Sequence, residues 1–286
     1  MLDNTGNIPT FILNLGDDVD YDDVSTYLSQ TYPDSPIFFF VHGFSVQPND
    51  FEDGIRDTGL WFSNEMDAPV GSNQPVIIGV QWLAGKNFLV DNGRIAKWNI
   101  PRAAKKLEMV LSSLGAVHSG RINIVGHSYG TELVMDAIQD ANTIVDAIVL
   151  VQGSTDTRRF SQNGQYSIDG ILPISGRYSE VMGSGLIDNL IVTYSDEDDV
   201  PAWNNLIHLG GVDPIGTSGL PDEIISQFDV SVINCDLNLV RSETQSPHHS
   251  YSPARSLGVA SIITSLIRSQ STGDPFVCPD SRSSSD

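Results

Sequence analysis

Six apolar runs of strand length, separated by stretches of helical periodicity, govern what this chain can fold into. They fall at residues 37–42, 76–82, 122–125, 147–151, 190–194 and 230–233. Several are rich in β-branched residues and nearly unbroken, as strands are when both faces of a parallel sheet are covered. From Pro101 onward, Ala103, Ala104, Leu107, Val110, Leu111 and Leu114 lie on one helical stripe, and Pro101 suits an early helix position. After Gly130, a second stripe holds Leu133, Val134, Ala137, Ile138 and Ala141. A last helix is expected from near Pro253, carrying Leu257, Ile262, Ile263 and Leu266. This alternation predicts a three-layer α/β sandwich, a mostly parallel central sheet with helices on both faces. Phe11-Ile12-Leu13 reads as the remnant of a further strand, which leaves the N-terminal edge of the sheet open. The 286 residues are enough for one such domain, assigned to 1–268. Within it, 153–185 is a Gly- and Ser-rich excursion that would serve as a small lid. The Ser-, Asp- and Pro-rich tail, 269–286, is expected to be disordered.

Charge narrows the partners. The formal net charge is −21, and the only lysines are Lys86, Lys97, Lys105 and Lys106. A field of that sign repels nucleic acid and anionic membrane surfaces. No apolar run reaches the roughly 18 residues of a transmembrane helix. The first ten residues lack a basic segment and an apolar core, so no signal peptide is expected. A cytoplasmic chain is the default, and a secreted mature form is the alternative. Cys235 ends an apolar run and reads as a small buried hydrophobe. Cys278 lies in the polar tail. Two distant thiols make no disulfide scaffold, and whether they pair is left open.

The chemistry centres on Gly126-His127-Ser128-Tyr129-Gly130. A nucleophilic serine in this setting needs a sharp turn between strand and helix, so that its Oγ projects above the sheet. The positions two before and two after must be small, because the two backbones approach closely there. Residues 121–125 precede as a strand, and Thr131-Glu132-Leu133-Val134 opens a helix directly. The helix N-terminus adds a partial positive charge that favours an oxyanion. Acyl transfer also needs two N–H donors on that oxyanion. The Tyr129 backbone N–H is one candidate. Phe44, after the strand that ends Val41-His42-Gly43, is the other.

A general base and a carboxylate to orient it must follow, in the order serine, acid, histidine. The run 190–194 leads into Ser195-Asp196-Glu197-Asp198-Asp199. Asp198 lies where the loop can turn back toward the serine, with Asp196 and Asp199 as alternatives. Three histidines come later: His208, His248 and His249. His208 follows a helix-like apolar stretch and reads as structural. The pair His248-His249 precedes the last helix, where the base is needed, and His249 is the first choice of the two. A zinc reading of the pair lacks the further close-spaced His or Cys it would need. Phe44, Trp61, Trp82 and Trp203 are candidates to line an acyl pocket, although core packing accounts for each singly.

Taken together, Phe40-Val41-His42-Gly43-Phe44, the Gly-His-Ser elbow, Tyr194-Ser195-Asp196-Glu197-Asp198 and His249-Ser250-Tyr251 resemble the α/β-hydrolase superfamily. The resemblance runs from about residue 37 to 268. The closest branch is a poorly characterised one with a Val-His-Gly-Phe loop, a Ser-x-x-Asp acid and a late His-Ser-Tyr. That resemblance favours Asp198 and His249. It implies a serine esterase or lipase acting on small ester or lipid substrates, with no metal or organic cofactor. An acyltransferase or thioesterase would use the same triad, and a non-catalytic binding scaffold the same fold. It fixes neither the natural substrate nor the oligomeric state.

Overall fold

The computed structural model describes residues 8–16, 20–44, 46–65, 74–85, 90–141, 143–162, 165–167, 173–175, 178–198, 214–239 and 251–279. Its centre is a seven-stranded, wholly parallel sheet. The strands are β1 (Thr10–Asn14), β2 (Ile37–Val41), β3 (Val76–Gln81), β4 (Ile122–His127), β5 (Val145–Val151), β8 (Ile187–Tyr194) and β9 (Ser231–Asp236). Their spatial order is β1-β3-β2-β4-β5-β8-β9. β6 (Gln165–Ser167) and β7 (Pro173–Ser175) form a separate antiparallel pair inside the 153–185 excursion. All six predicted runs are strands. Phe11-Ile12-Leu13 lies in β1, the edge strand, paired with β3.

The alternation of side chains along each strand divides the core in two. In β2, Ile37, Phe39 and Val41 join one apolar cluster, while Phe38 and Phe40 join the other. The first cluster is covered by α3 (Val90–Val117) through Leu107, Val110, Leu111 and Leu114, and by α4 (Tyr129–Asp140) through Leu133, Val134, Ala137 and Ile138. Leu28 of α1 (Tyr21–Thr31) also enters it. The second is covered by α2 (Pro48–Glu65) through Phe51, Ile55 and Phe62. There α6 (Leu257–Thr272), which follows the short α5 (Ser179–Gly183) in the chain, adds Val259, Ile262, Ile263 and Leu266. The expected sandwich is the α/β-hydrolase fold. No helix among the described residues is long and apolar enough to cross a membrane.

Three local expectations change. α3 starts at Val90, so Pro101 lies inside it rather than at its head. The buried stripe continues upstream through Ala96 and Ile100 in the same three- and four-residue steps, and packing of that stripe outweighs the hydrogen bond that a proline removes. α6 runs past residue 268 to Thr272, and Phe276 beyond it is buried. Cys278 is disulfide-bonded to Cys235, with their Cα atoms 5.7 Å apart. Cys235 is therefore a half-cystine as well as a buried residue, and the first part of the tail is fastened to β9.

The strand order creates the site. β2 and β4 are neighbours, yet the helices that follow them, α2 and α4, cover opposite faces. Loops leaving such a pair diverge and open a crevice beyond the carboxyl ends of the strands.

Candidate active site

β4 ends at His127 and α4 begins at Tyr129, so the whole turn falls on Ser128. Its φ is 53° and its ψ −121°, a conformation that costs a residue with a side chain about 1–3 kcal/mol. Backbone contacts hold it there. The Ser128 N–H donates to the Val151 carbonyl at 3.0 Å, and the Ser128 carbonyl accepts from Thr131 N at 3.1 Å and Thr131 Oγ1 at 2.6 Å. A serine at this position ordinarily caps its helix with its hydroxyl. The Ser128 hydroxyl makes no such bond, and its Oγ lies 3.2 Å from Ser154 Oγ instead. The head of α4 rests directly on the end of β2. A Cβ on Gly130 would stand 2.6 Å from the Val41 carbonyl oxygen and 2.7 Å from that of His42.

The loop after β2 closes the other side. A Cβ on Gly43 would lie 2.7 Å from Ser128 Cβ and 3.0 Å from His127 Nδ1, so only glycine fits. His42 shapes this loop from below. Trp82 N–H donates to His42 Nε2 at 3.3 Å, which makes Nε2 the acceptor and puts the ring proton on Nδ1. Nδ1 in turn donates to the Gly43 carbonyl at 2.8 Å. Trp82 stacks on the ring and donates its own Nε1–H to the His42 carbonyl at 2.9 Å. Burial holds the His42 imidazole down at a pKa of about 4, against a smaller opposing effect of the Gly43 bond. It stays neutral near pH 7. Phe44 is half-buried and packs its ring 5.9 Å from that of Tyr129.

Among the candidate acids, burial separates Asp198 from Asp196. Asp196 is exposed and accepts from Asn238 Nδ2 at 2.6 Å. Asp198 is 1% exposed, on a turn closed by its N–H to the Ser195 carbonyl at 3.1 Å. Asp199, His208, His248, His249 and Trp203 lie outside the described residues. The chain just beyond the histidine pair is described and firmly seated. The Tyr251 ring lies 6.4 Å from that of His127 and 5.3 Å from that of Phe51. Ser252 Oγ meets Thr58 Oγ1 of α2 at 2.8 Å. Of the other aromatic candidates, Trp82 is spent on His42, and Trp61 packs edge-on against Phe62 of α2.

α4 is braced by a buried polar group that sequence reasoning missed. Arg159 pairs with Glu132 at 2.7 Å and donates to Tyr178 Oη at 2.9 Å, and Tyr178 donates to Asp136 at 2.7 Å. Glu132 and Asp136 are four apart, hence on one face of α4. Burial pushes the Tyr178 phenol well above its ordinary value, which keeps it a donor. No spacing in the sequence joins Arg159 and Tyr178 to α4, because the contacts come from the excursion folding back. Ser154 was missed as well, for its only sequence mark is that it follows a strand.

A serine set on such an elbow above a parallel sheet is the arrangement of the α/β-hydrolase fold. Residues 20–154, somewhat under half the chain, match the model of a family described as alpha/beta hydrolase of unknown function (DUF900). No curated protein matches the sequence. Solved structures similar to it include Est1E from Butyrivibrio proteoclasticus, at 13% identity and a TM-score of 0.33, covering 71% of this chain and 79% of that one. A putative lipase (lip1) from Acinetobacter baumannii AYE stands at 9% identity and a TM-score of 0.41, covering 90% and 98%. Arginase from Medicago truncatula stands at 10% and 0.33, covering 77% and 63%. Likenesses this distant leave the activity to be argued from the site.

Proposed function

We propose that this chain hydrolyses carboxylic esters of small-molecule or lipid substrates through an acyl-enzyme on Ser128, with His249 as base and Asp198 as its orienting carboxylate. The observation that carries the reading is the Ser128 conformation: a strained turn at a helix head whose hydroxyl is withheld from capping. Strain and a forgone cap are both costs to stability, and a nucleophile needs what they provide, an Oγ raised above the sheet.

In this reading Ser128 Oγ attacks the ester carbonyl carbon while its proton passes to His249. The carbonyl electron pair moves onto oxygen, and the N–H groups of Phe44 and Tyr129 receive the oxyanion. Collapse expels the alkoxide, which takes the proton from His249, and water repeats the sequence on the acyl-enzyme. Support comes from the loop geometry. The Gly43 carbonyl is turned toward the His42 ring, so the trans peptide turns the Phe44 N–H the opposite way. Gly43 itself lies against Ser128. The burial of Asp198 supports it over Asp196. For His249, the support is its place two residues before Tyr251, a span of about 7 Å at most, and Tyr251 packs on the residue next to Ser128.

The test is a panel of p-nitrophenyl esters of rising acyl length. Turnover is expected in the wild type and a loss of about 1,000-fold or more in Ser128→Ala, Asp198→Asn and His249→Ala. Full activity in Asp198→Asn would remove the acid assignment. An active His249→Ala beside a dead His248→Ala would move the base to His248.

A further inference from the structure

We infer that Ser154 is a further catalytic residue, its hydroxyl donating a hydrogen bond to the Oγ of Ser128 during attack and release. This rests on the proposed role of Ser128 as nucleophile. Ser154 Oγ lies 3.2 Å from Ser128 Oγ, and Ser154 N–H also donates to the Ser128 carbonyl at 3.3 Å. A residue that only filled space would not need both its backbone and its side chain aimed at one neighbour.

The loop that carries Ser154 is built with the same kind of strain as the elbow. Among the described residues, Ser128 and Gln152 are the two non-glycine positions with positive φ, 53° and 43°. Gln152 stands one residue past the end of β5, the strand that pairs beside β4. Its N–H is tied to the Thr193 carbonyl at 3.2 Å. The Gly153 carbonyl accepts from Gly216 N at 2.9 Å, and the Thr155 carbonyl from Ile215 N at 2.9 Å. Thr155 Oγ1 meets Thr131 Oγ1 at 3.0 Å, and Thr131 Oγ1 donates to the Ser128 carbonyl. Ser154 is thus fixed on both sides. Strain held in place by surrounding bonds is characteristic of functional positions.

The chemistry assigns the direction of the bond. When the Ser128 proton goes to the imidazole, its Oγ keeps lone pairs that accept. Ser154 O–H then donates into them and keeps its own proton throughout. The bond orients the attacking lone pair and stabilises alkoxide character on Oγ, both as the nucleophile forms and as it leaves the acyl-enzyme. A hydrogen bond to a charged oxygen is worth about 10- to 100-fold in rate.

The experiment measures the rate at which a fluorophosphonate labels Ser128, together with kcat and KM on a p-nitrophenyl ester. In labelling, Oγ bonds to phosphorus, fluoride leaves, and the proton goes to the base. Ser154→Ala is expected to label, about 10- to 100-fold more slowly than wild type, with kcat lowered to match and KM unchanged. Ser154→Thr keeps the hydroxyl and is expected to recover most of the rate, whereas the similarly shaped Ser154→Val is not. That Thr/Val pair carries the comparison if Ser154→Ala does not fold. A folded Ser154→Ala that labels as fast as wild type, or faster, overturns the inference while a dead Ser128→Ala leaves the proposed function standing. A folded wild type that neither labels nor turns over removes the proposed function, and the role of Ser154 with it.

Discussion

Ser128 sits where any side chain is disfavoured, and the bonds from Val151 and Thr131 keep it there. Glycine tolerates positive φ far better. Ser128→Gly is therefore expected to raise the unfolding free energy by about 1 kcal/mol while abolishing ester turnover, as read by urea denaturation beside an activity assay. His42 gives a pH signature. Its folded pKa of about 4 lies below the ordinary 6.5, so between those values the unfolded chain binds a proton that the folded chain refuses. The contribution is fully present above pH 6.5 and is lost as pH falls through 4, to the extent of about 3 kcal/mol. Denaturation midpoints from pH 7 to 4 should fall less steeply in His42→Asn than in wild type. The sequence made Ser128 legible, because glycines two before and two after a serine between a strand and a helix follow from local geometry. It marked His42 as a strand-end residue of the Val-His-Gly-Phe loop, with no sign of its partner. The use of both ring nitrogens depends on Trp82, which arrives from β3.

The inner strands were legible for a simple reason: they are largely buried on both faces, so their composition is nearly continuous. The covering helices were read unevenly. α4 shows its apolar stripe plainly, whereas α2 carries Gly54 and Gly59 in its interior, which weakens any helical signal. Both glycines answer to distant contacts. A Cβ on Gly54 would stand 2.4 Å from Tyr251 Oη, and one on Gly59 2.3 Å from Thr10 Oγ1. The disulfide was illegible because Cys278 reaches β9 only once the chain has passed through α6. The seat of Tyr251 on α2 also yields a prediction. Gly54→Ala must push the Tyr251-Ser252 segment off α2, at a cost of about 1–3 kcal/mol. Since that segment follows His249, ester turnover of the folded variant should fall as well. Normal kcat in a destabilised Gly54→Ala would show that the docking of Tyr251 does not position the base.

Across the molecule, two kinds of fastening hold the strand ends in place. One is the parallel sheet, whose neighbours β2 and β4 send their helices to opposite faces. The other is the closure of the far edge by Cys235–Cys278, 43 residues apart in sequence and on a strand three places from β4. Removing a loop constraint of that length costs about 3–4 kcal/mol. Cys278→Ser, or wild type in dithiothreitol, should melt roughly 5–10 °C lower yet keep its ester activity at 25 °C. Unchanged melting would mean that the bond contributes nothing. In the proposed function this arrangement raises one serine above the sheet as a nucleophile. The most direct test is fluorophosphonate treatment followed by peptide mass spectrometry. One adduct per chain is expected, on Ser128, and none in Ser128→Ala. A folded wild type left unmodified, or modified at a different residue, would contradict that function.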